Sequence, residues 1–158
     1  SQIQTGIPWV LYTGGERKVF QPVARLLGRD FVYGPTDCYA LVKDAYHLAG
    51  IELPEVIRGD IDDDAKLERI PAGMEEHFFK ISDIDFVEVG DVIVTALGGK
   101  ASHMAIYIGE GRVLHHQYNQ MSLRENLSEG WLKRIHSIWR HPDWKNECFE
   151  ALEQDFGW

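Results

Sequence analysis

The chain has 158 residues, 44% of them hydrophobic, and a formal net charge of −9 from 16 basic and 25 acidic side chains. That length and apolar content suit one globular domain whose core needs no staple, and the acidic balance excludes a nucleic-acid surface, no basic cluster exceeding Lys133-Arg134. No apolar run reaches the roughly 18 residues of a membrane span and no leader pattern opens the chain; a start at Ser1 is expected of a domain excised from a longer protein.

In chain order, residues 1–28 read as an arm packed on the domain. Trp9-Val10-Leu11-Tyr12 forms a short strand or clamp, and Val19 to Leu27 has helical spacing stopped by Gly28. From residue 29 the signals sharpen. Gly34-Pro35 punctuates the chain, Thr36 is a good N-cap, and Gly50 supplies a left-handed stop. Between them, steps of three and four from Cys38 reach Leu41, Val42, Ala45, Leu48 and Ala49, one apolar stripe, with Lys43, Asp44 and His47 on the wet side. Cys38 thus falls in the first turn at the edge of the inward face. The unpaired backbone N–H groups and the positive end of the helix dipole favour a thiolate there, and such sites bring a thiol from about 8.5 into the range of roughly 3.5 to 7.5. The same position also suits a small buried core residue, which most free cysteines are.

Residues 51–69 change character. Asp60-Ile61-Asp62-Asp63-Asp64 lacks the glycine and terminal glutamate of a calcium-binding loop and reads as the solvated start of a helix. Residues 62–80 read as one or two short helices broken at Pro71, with His77 a surface histidine. From Phe86 the period becomes two: Val89 to Leu97, Ser102 to Ile108 and Arg112 to His116 read as strands, followed by a short helix over 128–134 capped by Ser128 and a strand from Ile135 to Arg140. Residues 142–158 form a polar helical tail in which Cys148 is a bystander; both cysteines are read as thiols. Helices first and an antiparallel meander after them make an α+β layout.

Gly109-Glu110-Gly111 fits a three-residue hairpin loop, which pairs Ile108 with Arg112 and Ala105 with His115. His103, Ala105, Tyr107 and His115 then share one face, with the two histidines diagonal neighbours about 7 to 8 Å apart at Cα, while His116 points to the other side. A two-residue loop reverses that choice. A helix-tip thiol with two imidazoles on one sheet face is the material of a thiolate–imidazole pair: His103 takes the proton of Cys38 and returns it to a leaving amine, and His115 holds the ring of His103.

Thr36-Asp37-Cys38 opening a helix, Val89-Gly90-Asp91-Val92 opening a strand, and Ser102-His103-Met104-Ala105-Ile106-Tyr107-Ile108-Gly109-Glu110-Gly111-Arg112-Val113-Leu114-His115 resemble the NlpC/P60 cysteine peptidases. The resemblance implies a papain-like α+β fold over residues 29–141, with Cys38 at the nucleophile's position, His103 at the base's and His115 at the orienting residue's. Phe31-Val32-Tyr33-Gly34-Pro35, Asp44-Ala45-Tyr46-His47-Leu48-Ala49-Gly50-Ile51 and His136-Ser137-Ile138-Trp139-Arg140-His141 are similar to the branch of that family carried by tail-tip assembly proteins of lambda-like bacteriophages, which implies an upstream domain in the parent protein.

By that resemblance the substrate is the stem peptide of peptidoglycan, cut between D-Glu and a diamino acid, and the partners are other phage tail-tip proteins. The setting is a phage tail, or the host cytoplasm during assembly, with action at the cell wall or in the periplasm; no cofactor is called for. Phe31 stands where the family commonly has a tyrosine, so Tyr33 is the nearest hydroxyl for an oxyanion contact. The backbone N–H of Cys38 is the better donor, and Asp37, Tyr39 and Ser102 are further candidates for lining the site. Three other readings use the same residues. One is an assembly module in which cleavage is dispensable. Another is a zinc site of Cys38, His103, His115 and water. The last is an acyl or amide transferase on the same frame.

Overall fold

A computed structural model describes residues 6–56, 70–145, 147 and 152. The acidic run at 60–64, Cys148 and most of the 142–158 tail lie outside the described residues; within the tail, Glu147 and Leu152 are helical. The chain opens on a separate hairpin of β1 (Trp9–Thr13) and β2 (Glu16–Phe20) turning at Gly14-Gly15, whose φ values of 58° and 83° suit a tight two-residue turn. This corrects the helix expected from Val19: the segment continues a strand, and Pro22, which brings no amide proton, is followed by irregular backbone to Gly28.

Helix α1 (Cys38–Leu48) forms where the apolar stripe requires it, with Ala40, Leu41, Val42, Ala45 and Tyr46 buried. Its N-cap is Asp37 and not Thr36: Asp37 Oδ1 accepts from the Ala40 N–H at 2.9 Å. Thr36 instead ties the preceding loop, its hydroxyl accepting from Val32 N–H at 3.0 Å and donating to the Asp30 carbonyl at 2.9 Å. Gly50, at φ 81°, ends the helix, its N–H and that of Ile51 returning to His47 and Tyr46 carbonyls. Asp44 is not on a wet face. It pairs at 2.7 Å with the buried Arg29 guanidinium, which also donates to the Arg25 and Ala24 carbonyls and so holds the irregular segment against α1.

Of the helices expected over 62–80, residues 62–69 lie outside the described residues; a short α2 (Ile70–Glu75) follows them. Six antiparallel strands follow in one sheet, in the order β3 (Phe79–Ile81), β8 (Ile135–Arg140), β4 (Val92–Leu97), β5 (Lys100–Gly109), β6 (Arg112–His115), β7 (Leu123–Asn126). The last strand therefore returns to the middle of the meander. α1 packs on β5 and β6, with Leu41, Val42 and Ala45 in one core with Val92, Val94, Met104, Ile106 and Leu114. The reverse face of the sheet carries a second cluster of Ile93, Ala105, Val113 and Ile138, closed by Trp131 from α3 (Glu129–Leu132), which Ser128 caps as expected.

The Gly90-Asp91 pair at the head of β4 is structural. A Cβ on Gly90 would sit 2.0 Å from the Trp144 ring, and Tyr46 donates its hydroxyl to the Gly90 carbonyl at 2.6 Å. Asp91, 1% exposed, takes two 2.8 Å hydrogen bonds from Arg140 on β8 and a third from the Glu88 N–H.

Candidate active site

Cys38 is the first residue of α1, half-buried and packed at the rim of the core shared by helix and sheet. The tail of the motif before it serves the helix: Asp37 is buried and spends both oxygens on backbone N–H groups, Oδ1 on Ala40 and Oδ2 on Gly34 at 3.1 Å. Tyr39 donates its hydroxyl to the Pro54 carbonyl at 2.7 Å, and Tyr33 is half-buried in the loop before the helix. Phe31 packs edge-on against His116 and Tyr118.

The hairpin between β5 and β6 brings the two histidines together by a route other than the expected one. Gly109 pairs with Arg112, leaving a two-residue turn of Glu110 (φ 52°) and Gly111 (φ 67°). On its own that turn would put His116 opposite Ala105. Ile108 is an extra residue in β5, however, and this bulge resets the register so that Ala105 faces His115. The Ile108–Arg112 pairing is thus wrong and the Ala105–His115 pairing right. His103 Nε2 lies 3.1 Å from His115 Nδ1, with the rings nearly perpendicular.

A second bulge sits directly before His103. Ala96 faces Ala101 and Thr95 faces His103, so Ser102 is the extra residue. Across it the strand turns over: Ala101 belongs to the core on the α1 side, whereas His103 and His115 stand against Trp131 on the reverse face, His115 edge-on at 5.0 Å. Bulges of this kind bend a strand and re-aim the next side chain.

Two residues of this cluster, Glu125 and Trp131, escaped the sequence reading. Glu125, on β7, faces Val113 and therefore shares the histidine face; its Oε2 is 3.1 Å from His115 Nε2, off the line of a straight hydrogen bond, and accepts from the Trp131 indole N–H at 2.9 Å. The alternation Leu123-Arg124-Glu125-Asn126 was the available signal, but it is short and polar. His116, by contrast, is fully buried on the other side, its nitrogens facing backbone of Arg29 and Gln120 without the geometry of a full hydrogen bond.

Burial, reinforced by the neighbouring His115, Arg134 and His116, pushes His103 down from 6.5 to about 3, so its ring is neutral near neutral pH, the form that accepts a proton. Burial also lowers His115, against the pull of Glu125. A depressed folded-state value means that the unfolded chain binds the proton first. The stability contributed by neutral His103 is complete above pH 6.5 and is lost as pH falls toward about 3. Lowered values at His115, His116 and His141 act with the same sign. The urea midpoint is therefore expected to fall through that window, and less steeply in His103→Gln; a midpoint independent of pH there would contradict the assignment. Among the described residues no three His, Cys, Asp or Glu side chains are arranged to hold a metal ion, and the two imidazoles address each other and not a common point.

The NlpC/P60 family model matches residues 28–140. The chain is also 37% identical over 159 aligned positions, 98% of its own length and 78% of the relative's, to the tail tip assembly protein K of Escherichia phage lambda. With a cysteine opening α1, a Gly-Asp turn opening β4 and a histidine pair across β5 and β6, the chain belongs to the NlpC/P60 family.

Proposed function

We propose that the domain is a thiol peptidase of a phage or prophage tail that hydrolyses peptidoglycan stem peptides, with Cys38 as nucleophile, His103 as general base and acid, and His115 as the residue that orients His103. The observation that carries this reading is the 3.1 Å contact between His103 and His115, in a chain of this family whose only described cysteine begins a helix packed on the strand bearing His103. Two imidazoles packed against each other out of bulk water are costly for stability alone, and titratable groups so perturbed cluster at functional sites.

This reading requires Cys38 Sγ to reach His103 around the bend of β5 at Ser102, because α1 packs on the face of the sheet opposite the one that carries His103 and His115. Sγ attacks the peptide carbonyl as its proton passes to His103. The oxyanion forms beside the backbone N–H groups at the start of α1. Collapse to a thioester releases the amine, which leaves with the proton from His103, and water, deprotonated by the same ring, frees the acid and the thiol. Asp37 and Tyr39 keep the loop and helix in place. Mass spectrometry of muropeptides from purified peptidoglycan, before and after incubation with reduced protein, tests substrate and bond together. New stem peptides ending at D-Glu are expected; an unchanged profile counts against the substrate.

The relative's name favours a second reading, an assembly module that binds or processes tail-tip proteins. Capture of tail-tip proteins by Cys38→Ala as well as by the parent chain, with no muropeptide release by either, would favour it.

A further inference from the structure

From the contacts of the histidine pair we infer that Glu125 is a positioning residue of the same site, fixing through His115 which nitrogen of His103 is free to act as the base. The inference rests on the proposed roles of Cys38 and His103. A carboxylate only accepts, so Glu125 Oε2, 3.1 Å from His115 Nε2 though off the line of a straight hydrogen bond, favours by its charge the tautomer of neutral His115 protonated on Nε2. His115 Nδ1 is then an acceptor, and its 3.1 Å partner, His103 Nε2, must be the donor. Neutral His103 has one ring proton, so its Nδ1 is left bare and can take the thiol proton. Reversing the tautomer of His115 would reverse the chain, leaving His103 Nε2 as the bare nitrogen, occupied by His115 and turned away from use.

The surroundings favour this order. Trp131 donates to the same Glu125 oxygen at 2.9 Å and lies edge-on to His115, so carboxylate and ring are both held. Among the described residues, the groups that act on the pair are Glu125, Arg134 and His116, of which Glu125 is the anion. When His103 takes up a proton, the added charge stays on its ring, where Glu125 stabilises it through His115 and Arg134 opposes it.

Imidazole nitrogen NMR of the parent protein near neutral pH gives the first test: His115 protonated on Nε2 and His103 on Nε2 is the expected pattern. The second is iodoacetamide alkylation of Cys38, located by peptide mass spectrometry, as a function of pH. Glu125→Ala is expected to slow it at least about tenfold, a part of the roughly 10² to 10⁴ a general base supplies, and to shift its pH profile upward. Glu125→Gln, which keeps an acceptor but no charge, should retain the tautomers and lose less rate.

His115 protonated on Nδ1 in the parent protein, or an alkylation profile unchanged in Glu125→Ala, would overturn the role of Glu125. The parent's own Cys38 reactivity separates the two levels: a profile there like that of a free thiol speaks against the nucleophile itself, whatever the variants do.

Discussion

Cys38→Ala is expected to abolish release of stem peptides from peptidoglycan, a loss of at least about a thousandfold, while leaving the unfolding midpoint within about 1 kcal/mol of the parent. The two halves of that expectation come from separate facts. Cys38 is half-buried at the helix tip and touches the core only at its rim, so removing its sulfur opens little space. The helix start does not depend on the thiol, because Asp37 caps it through Ala40 and Gly34. The proposed chemistry does depend on it, since the flanking hydroxyls of Thr36 and Tyr39 are engaged with the Asp30 and Pro54 carbonyls. Cleavage retained by Cys38→Ala would remove the mechanism. Wholesale unfolding would instead show that the thiol is a core residue.

Asp91→Ala carries the largest expected effect on stability. Asp91 is 1% exposed and neutralises Arg140 through two hydrogen bonds of 2.8 Å, linking the head of β4 to the end of β8. Removing one partner of a buried pair strands the other, at a cost of about 3 to 5 kcal/mol. Here the lower end is expected, since Arg140 keeps Glu88 at 3.1 Å and the Phe86 carbonyl at 2.8 Å. Chemical denaturation should show a loss of about 3 kcal/mol, near a 6 to 12 °C drop in Tm. A loss under about 1 kcal/mol would mean that Glu88 replaces Asp91 fully.

Much of this arrangement was legible in the sequence where a local signal and the tertiary contact agree. The stripe from Cys38 to Ala49 delivered α1, and the alternation from His103 to His115 delivered the shared face. The agreement at His115 was nevertheless reached through a wrong turn: a two-residue loop and a bulge at Ile108 together mimic the register of a three-residue loop. Bulges are invisible to a strict period of two, so the reversal at Ser102 was not foreseeable either. The apolar spacing from Val19 to Leu27 suited a helix, but pairing across Gly14-Gly15 overrode it. Asp37 displaced Thr36 as cap because both are good caps and the choice lay in the loop's other contacts. Strand β7, four residues with three polar side chains, gave no period strong enough to place Glu125 beside His115.

The claim on which the mechanism stands is that the Cys38 thiol shares its proton with His103. The most direct measurement is the rate of Cys38 alkylation against pH in the parent protein and in His103→Ala. The parent should react with an apparent value well below the about 8.5 of a free thiol, and the variant should be slower at neutral pH with its profile displaced up toward that value. Superimposable profiles in the two proteins would contradict it.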